Sequence, residues 1–412
     1  MRSDNLRLLV GLHHLQLGGS QLHALDLARA MAALGHEVGI FGVQHGEPGP
    51  MVARARDAGL PVYLARHPLE RTRRALPCRP AVARALTAAV REHRADLLHV
   101  YEYPLILDAF HGPHRALGVP LAATVYAMDV PRWLPRYPPL VVGTQELVDQ
   151  AGAFRARPAL IEPPVDTAAD DPAAVDGAVF RAEHGIAADE LVLLVVSRLE
   201  PEMKAEGISR AMGALELLRD ERLRLVVVGD GPAAADLGAQ ARRVNAALGR
   251  PAVLLPGALA DPRPAYAAAD IALGMGGSAL RSMAFARPLI ALGVAGFSRP
   301  VTPQTLDHFL RAGFFGVGGG DLAAEPLAAQ IDMLVRDAGL RASVGEWSRQ
   351  VVVDRFSLKA AAETLSEVYS AACASTPGRP RRHQEALRIA AHRAAAELTP
   401  SGLRHRIRRA GS

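Results

Sequence analysis

Two cations, Arg198 and Lys204, stand in the segment Val196-Ser-Arg-Leu-Glu-Pro-Glu-Met-Lys-Ala-Glu-Gly207, directly after the apolar run Leu191–Ser197. Such a run reads as a buried strand, and the loop at its carboxyl end is where open α/β sheets bind ligands. Two positive side chains beside a helix start can neutralise a diphosphate and stabilise charge developing on a leaving phosphate. The same pair also fits exposed charges balanced by Glu200, Glu202 and Glu206.

Two glycine turns carry related chemistry. In Leu17-Gly-Gly-Ser-Gln21, Gly18 and Gly19 allow a tight turn and Ser20 is placed to cap the following helix, leaving amides aimed at an anion. Plain turn chemistry is the alternative, and the segment is not the GxGxxG dinucleotide fingerprint. In Gly274-Met-Gly-Gly-Ser-Ala-Leu-Arg281, Gly276, Gly277 and Ser278 open a helix, Ala279 and Leu280 form its first turn, and Arg281 follows. This reads as a second anion cradle beside Arg198 and Lys204; otherwise its glycines serve helix packing and Arg281 pairs with an acid.

Polar groups also gather at strand ends of the first half: His13, His14, His99, Glu102, Tyr126 and Asp129. Tyr126 and Asp129 suit hydrogen bonds to a polar ligand, although a phenol with an ordinary pKa near 10 is a poor base at neutral pH. No HExxH or HxH spacing occurs, so the histidines read as satisfied or ligand-facing rather than as a metal site.

The elements that must position these groups alternate. Leu6–Leu12, Glu37–Val43, Asp96–Tyr101, Pro120–Tyr126 and Pro139–Gly143 read as strands, with helices at about 20–34 and 80–93. Glu162-Pro-Pro-Val-Asp166 and the Ala/Asp-rich stretch to Asp176 read as an interdomain linker. The alternation then restarts with strands Leu191–Ser197, Leu223–Val228, Val253–Leu255, Ile271–Leu273 and Leu289–Leu292, and with helices at about 206–219, 233–248 and 278–286. Three further helices are expected at 322–337, 340–354 and 357–373. Strand–helix alternation of this kind means parallel sheets, because parallel neighbours need a crossover.

At 412 residues two domains are expected. The only cysteines, Cys78 and Cys373, lie far apart, which fits a reducing, cytoplasmic setting without a disulfide framework or a zinc site. Leu6–Leu12 reads as a strand rather than a signal peptide, and no apolar run approaches the roughly 20 residues needed to span a bilayer. Residues 376–412 hold nine Arg and two Glu, so the net charge of +5 belongs to the tail and the preceding residues sum to −2. The tail carries a helical stretch at 385–398 whose apolar face is mostly Ala. It reads as a solvated charged end, with docking onto acidic lipid, RNA or a partner as the alternatives, and lipid docking would make the protein peripheral at the inner membrane face. A uniformly nucleic-acid-binding body is not implied.

The ordered series Gly18-Gly19, Leu34-Gly-His-Glu-Val38, Asp96-Leu-Leu-His-Val100, Pro163-Pro-Val-Asp166, Ser197-Arg198, Lys204, Gly207, Val228-Gly-Asp-Gly-Pro232, Pro256-Gly257, Ala269-Asp270, Met283-Ala284 and Arg287-Pro288 resembles family 4 of the retaining glycosyltransferases. The resemblance covers roughly residues 6–370. It implies the α/β GT-B fold: two Rossmann-like, doubly wound parallel-sheet domains facing a central cleft, with a C-terminal helix crossing back to the first domain. It further implies that Arg198 and Lys204 hold the donor diphosphate, that Gly18, Gly19 and Gly257 lie on the donor side, and that no metal or other cofactor is needed beyond the nucleotide-diphosphate sugar. The chain departs from the family in two places. The paired glutamates are missing, Arg281 standing where the second belongs, and the His expected after Leu121–Val125 is replaced by Tyr126-Ala-Met-Asp129.

The expected organisation is therefore an acceptor-side domain at 1–165, a donor domain at 166–356, a crossover helix at 357–375 and a basic tail at 376–412. The expected activity is hexosyl transfer (EC 2.4) with retained configuration, in bacterial glycan or secondary-metabolite synthesis. His13, Glu102, Tyr126 and Asp129 would face the sugar or the acceptor. An acidic or membrane-borne acceptor is suggested by the basic stretch Arg66–Arg79, including Arg71, Arg73 and Arg74. The alternatives are a catalytically degenerate scaffold on the same fold, a nucleotide-sugar epimerase and, third, a tail-dependent nucleic-acid binder.

Overall fold

The computed structural model describes residues 5–44, 46–47, 49–66, 77–127, 129–155 and 158–398. The chain divides into two compact units, Met1–Glu162 with Ala361–Ser412, and Pro163–Ala360.

The first unit is built on a seven-stranded sheet: β1 Arg7–Leu12, β2 Glu37–Gln44, β3 Val62–Arg66, β4 Leu97–Tyr101, β5 Leu121–Val125, β6 Leu140–Val142 and β7 Ala159–Leu160, in the order β3-β2-β1-β4-β5-β6-β7. Every neighbouring pair is parallel. Because helices cover both faces, central strands such as Leu-Leu-His-Val-Tyr of β4 are buried at every position rather than alternating. Strand order reverses between β1 and β4, which opens a crevice at their carboxyl ends.

The second unit repeats the plan with β8 Leu191–Val196, β9 Leu223–Val228, β10 Val253–Gly257, β11 Ile271–Gly274, β12 Leu289–Leu292 and β13 Ser298–Pro300, in the order β10-β9-β8-β11-β12-β13. Only β13 runs antiparallel to its neighbour. The reversal falls between β8 and β11. The main core packs Leu193, Val195, Leu225 and Val227 against Ile208, Met212 and Leu215 of the helix Ala205–Leu218.

The segment expected to be a linker is part of the second unit. Val165 is buried and pairs with the other end of the unit, its N–H donating to the Phe356 carbonyl (2.8 Å) while Leu358 N–H donates to Val165 (2.9 Å). Asp171 binds Arg349 (2.8 Å), and the helix Gly177–Glu183 follows, capped by Asp176. Its composition resembles a linker because the polar residues are satisfied by distant partners and local turns rather than by water.

The helix Leu358–Ser375 returns to the first unit. There Tyr369 is buried and its hydroxyl meets His99. The tail is not wholly a solvated end: the helix Arg379–Leu398 buries Ala386 and Ile389 in the first unit's core. Of the basic stretch, Arg66 ends β3 and Arg79 is held by the fully buried Asp108 (2.6 Å), while Arg71, Arg73 and Arg74 lie outside the described residues, as do 399–412. No described helix is long and apolar enough to cross a membrane.

Candidate functional site

In the second unit the carboxyl ends of β8 and β11 bring two of the sequence motifs to one crevice. Beyond β8, the chain turns against the Gly229-Asp-Gly231 loop, where Leu199 N–H donates to the Asp230 carbonyl (2.9 Å). Gly229 has φ +147°, and a Cβ there would overlap the Ser197 carbonyl oxygen. The glycine is required by close backbone approach.

Arg198 is largely exposed and pairs with Glu200 at 2.7 Å. An exposed pair of this kind contributes less than about 1 kcal/mol, so an incoming dianion can displace it. Lys204 differs. It precedes the helix Ala205–Leu218 and is half-buried, and burial lowers its pKa to about 8. Among the described residues no carboxylate pairs with its ammonium group. Glu206, in the first turn of the same helix, is committed elsewhere, accepting from Ala295 N–H (3.1 Å) and Gly296 N–H (2.7 Å).

At the end of β11, Gly276 caps the helix Gly277–Ala284 with φ +59°. Its own N–H is used by the Phe314 carbonyl (2.8 Å), so a cradle here would consist of the amides of Gly277, Ser278 and Ala279, which have no intrahelical acceptor. The Ser278 hydroxyl bonds the Met275 carbonyl (3.1 Å) and Leu280 is buried. Arg281 pairs with Asp170 at 3.5 Å. Asp170 is buried and comes from the segment expected to be a linker, a partner that local composition did not reveal. Gly257 ends β10 with φ +85° and open space where a Cβ would stand.

In the first unit the crevice at β1 and β4 carries the other candidates. Gly18, in extended conformation, caps the helix Gly19–Ala33 without a side-chain bond. Ser20 was expected as the cap; it lies inside the helix, where its backbone is no longer in the extended conformation a cap needs. Gln21 is buried, and its Nε2 lies 3.3 Å from both His13 Nδ1 and His14 Nε2, fixing the two rings at the mouth of the crevice.

Glu102 follows β4 with φ +67°, a strained conformation for a residue with a Cβ. Its carboxylate accepts from Tyr126 N–H (3.1 Å), tying β4's end to β5's end. Burial raises its pKa, partly offset by the backbone amides of Tyr126 and Ala127. The Tyr126 hydroxyl is buried and has no hydrogen-bond partner among the described residues, and burial raises its pKa. Asp129 is exposed and accepts from the Tyr103 hydroxyl (2.8 Å). His99, grouped with these residues on sequence, lies within β4 in the core, its Nε2 2.7 Å from the Thr124 hydroxyl and its Nδ1 2.9 Å from the Tyr369 hydroxyl. Burial lowers its pKa to about 3. It holds the fold together and does not face the crevice. Among the described residues no three His, Cys, Asp or Glu side chains are grouped to hold a metal.

Two crevices at strand-order reversals, with cations and helix starts at one and histidines, Glu102 and Tyr126 at the other, invite comparison with known proteins. Residues 17–168 match the family described as Glycosyltransferase Family 4, and residues 190–337 match Glycosyl transferases group 1. The chain is 28% identical over 411 aligned residues to a D-inositol 3-phosphate glycosyltransferase of Kineococcus radiotolerans, covering 85% of this chain and 90% of the relative. The fold resembles that of a glycosyltransferase from Rickettsia africae (TM-score 0.72, 15% identity, 90% of this chain and 99% of the other). It also resembles that of Anabaena Alr3699/HepE, solved in complex with UDP-glucose (TM-score 0.66, 17% identity, 88% and 99%). The two sheets and the two matched regions, one over most of the first unit's sheet and one over most of the second's, lead to one assignment: the chain is a glycosyltransferase of family 4 with the GT-B fold.

Proposed function

We propose that this glycosyltransferase moves a sugar from a nucleoside-diphosphate donor to an acceptor hydroxyl, with retained configuration and without a metal. The observation that carries the donor reading is Lys204, a half-buried cation beyond the carboxyl end of β8 that no carboxylate among the described residues neutralises. A charge in that position is stabilised by a bound anion, and the pyrophosphate of a nucleotide sugar is the anion this family's chemistry supplies. Arg198 supplies the second charge once Glu200 is displaced. The amides of Gly277, Ser278 and Ala279 lie on the neighbouring strand end, and Arg281 is oriented by Asp170.

In the first unit, Tyr126, Glu102, His13 and Asp129 form the sugar and acceptor side. Since the Tyr126 phenol is harder to ionise than an ordinary tyrosine, it acts as a hydrogen-bond donor rather than a base. A leaving-phosphate oxygen then takes the acceptor proton, and the protein's part is positioning and stabilisation of the departing diphosphate.

The test is a thermal-shift screen of UDP, GDP, ADP, dTDP and their sugars against the wild type, Arg198→Ala and Lys204→Ala. A nucleotide at 100 times its Kd stabilises the fold by about 2.7 kcal/mol. A shift with one base, lost in both variants, supports the donor site; silence across the panel overturns it in favour of a non-catalytic binding protein. Because the Kineococcus relative is named for D-inositol 3-phosphate, that phosphorylated polyol is the first acceptor to assay, with the anomeric coupling of the product read by NMR.

A further inference from the structure

In a parallel sheet all amino ends share one edge, opposite the carboxyl-end crevice. Arg136-Tyr137-Pro138 lead into β6 and Phe154-Arg155 lead towards β7, so these residues lie at that far edge of the first unit's sheet. The helix Arg379–Leu398 is fastened there. Arg388 donates to the Leu134 carbonyl (2.7 Å), and Arg136 N–H donates to Glu385 (2.7 Å). Between helix and sheet edge lies a cavity of about 590 Å³, lined by Arg136, Arg155, Arg381 and Arg388, with Glu385 the one carboxylate among the described residues that line it.

The charges in this cavity do not balance. Glu385 is consumed by Arg388, which it binds at 2.8 and 2.9 Å. Three guanidiniums remain. Arg155 is the deepest of them, 8% exposed. One of its terminal nitrogens donates to the Pro138 carbonyl, but its Nε–H is buried and has no hydrogen-bond partner among the described residues. Arg155 forms no ion pair among the described residues. Buried arginines are ordinarily paired with a carboxylate or a phosphate, and an unmatched donor on a buried charge is costly. Burial also lowers its pKa to about 10, consistent with an unneutralised charge. The rings of Tyr137 and Phe154 form the apolar walls. The Tyr137 hydroxyl is held by His114 Nε2 (2.7 Å), and the Phe154 ring is covered by the Arg132 guanidinium.

We propose that this cavity is a second anion site, which takes a phosphate-bearing small ligand with its phosphate on Arg155, Arg136 and Arg381 and its apolar part against Tyr137 and Phe154. Its volume falls in the range of small-molecule sites, and planar guanidiniums match phosphate oxygens bidentately. The site lies at the sheet edge opposite the one where sugar transfer is proposed, and does not depend on that reading. The phosphate can belong to a soluble phosphoester or to an anionic lipid headgroup.

The experiment uses the full chain with Arg198→Ala and Lys204→Ala as background, so that the strand-end crevice of the second unit does not contribute. Inorganic pyrophosphate is titrated by calorimetry, and vesicles of phosphatidylglycerol are compared with phosphatidylcholine by co-sedimentation. Arg155→Gln should weaken binding about tenfold or more, the scale of one charge-assisted hydrogen bond in a dry site. Arg136→Gln with Arg381→Gln, both on exposed side chains, guards against misfolding of the buried variant and should weaken it several-fold. Saturable pyrophosphate binding that responds to these changes supports a soluble ligand. Phosphatidylglycerol binding that responds, without pyrophosphate binding, supports a headgroup. Absence of both, or binding indifferent to the substitutions, overturns the proposal.

Discussion

His99 and Tyr369 are 270 positions apart in the chain and share a 2.9 Å hydrogen bond inside the first unit. The Thr124 hydroxyl holds the opposite ring nitrogen, so both polar atoms of a buried imidazole are satisfied, one by a neighbouring strand and one by the returning helix. The helix Leu358–Ser375 is thus locked by a specific polar contact as well as by its buried Leu365, Val368 and Ala372.

Tyr369→Phe leaves His99 Nδ1 buried without a partner. A loss of about 1–3 kcal/mol is expected, read as a lower urea midpoint with an unchanged m-value. A variant as stable as the wild type would show that the bond contributes nothing net.

Acid should destabilise the first unit through its buried histidines. Burial holds His99 at about 3 and His111 and His114 at about 4, whereas in the unfolded chain each titrates near its ordinary value of 6.5. Below pH 6.5 the unfolded state binds protons that the native state refuses, so stability is full above that value and falls as pH drops towards 4. Three such groups give a slope of up to about 4 kcal/mol per pH unit. Chemical denaturation at pH 7, 6 and 5 measures it; a flat profile excludes the explanation.

Lys204 should give donor binding its own pH dependence. A diphosphate favours the protonated ammonium group, and in the free protein this group titrates at about 8. Affinity for a nucleoside diphosphate is then constant just below pH 8 and falls by up to about tenfold per unit above it. The Lys204→Ala variant should bind weakly at every pH and lose this dependence.

Tyr126→Phe removes a buried hydroxyl that has no partner among the described residues. Stability should be unchanged or higher by up to about 1 kcal/mol, while kcat/KM falls if the hydroxyl serves the sugar or acceptor. Equal losses in stability and activity would mark Tyr126 as a packing residue.

The strands were legible because their signals are local. Leu-Val-Leu-Leu-Val-Val of β8 is apolar on both faces, and Arg198 follows directly at its carboxyl end. The helices Pro50–Asp57 and Gln145–Gly152 and the strand Val62–Arg66 were missed because they are short, eight residues or fewer, too few to establish a period. Asp170 and Asp171 were hidden in an Ala/Asp-rich segment because what anchors them, Arg281 and Arg349, lies more than a hundred residues away. The tail helix was legible at 385–398, but its burial was not, because its apolar face is mostly alanine, with Ile389 its one large buried side chain among the described residues. Periodicity reports the face an element turns to the core. It carries no information on ion pairs made across the fold.

The paired passages at Val165 and Phe356–Leu358 bear on how the gene product can be cut. The second unit begins and ends at hydrogen-bonded neighbours, so in chain topology it is an insertion whose ends already touch. Residues 163–360 should therefore fold when expressed alone, and should tolerate circular permutation, with old termini joined by a short linker and new ones opened in a surface loop. The first unit has the opposite property: it is discontinuous, and any uninterrupted fragment that contains both His99 and its partner on the returning helix must carry the second unit as well.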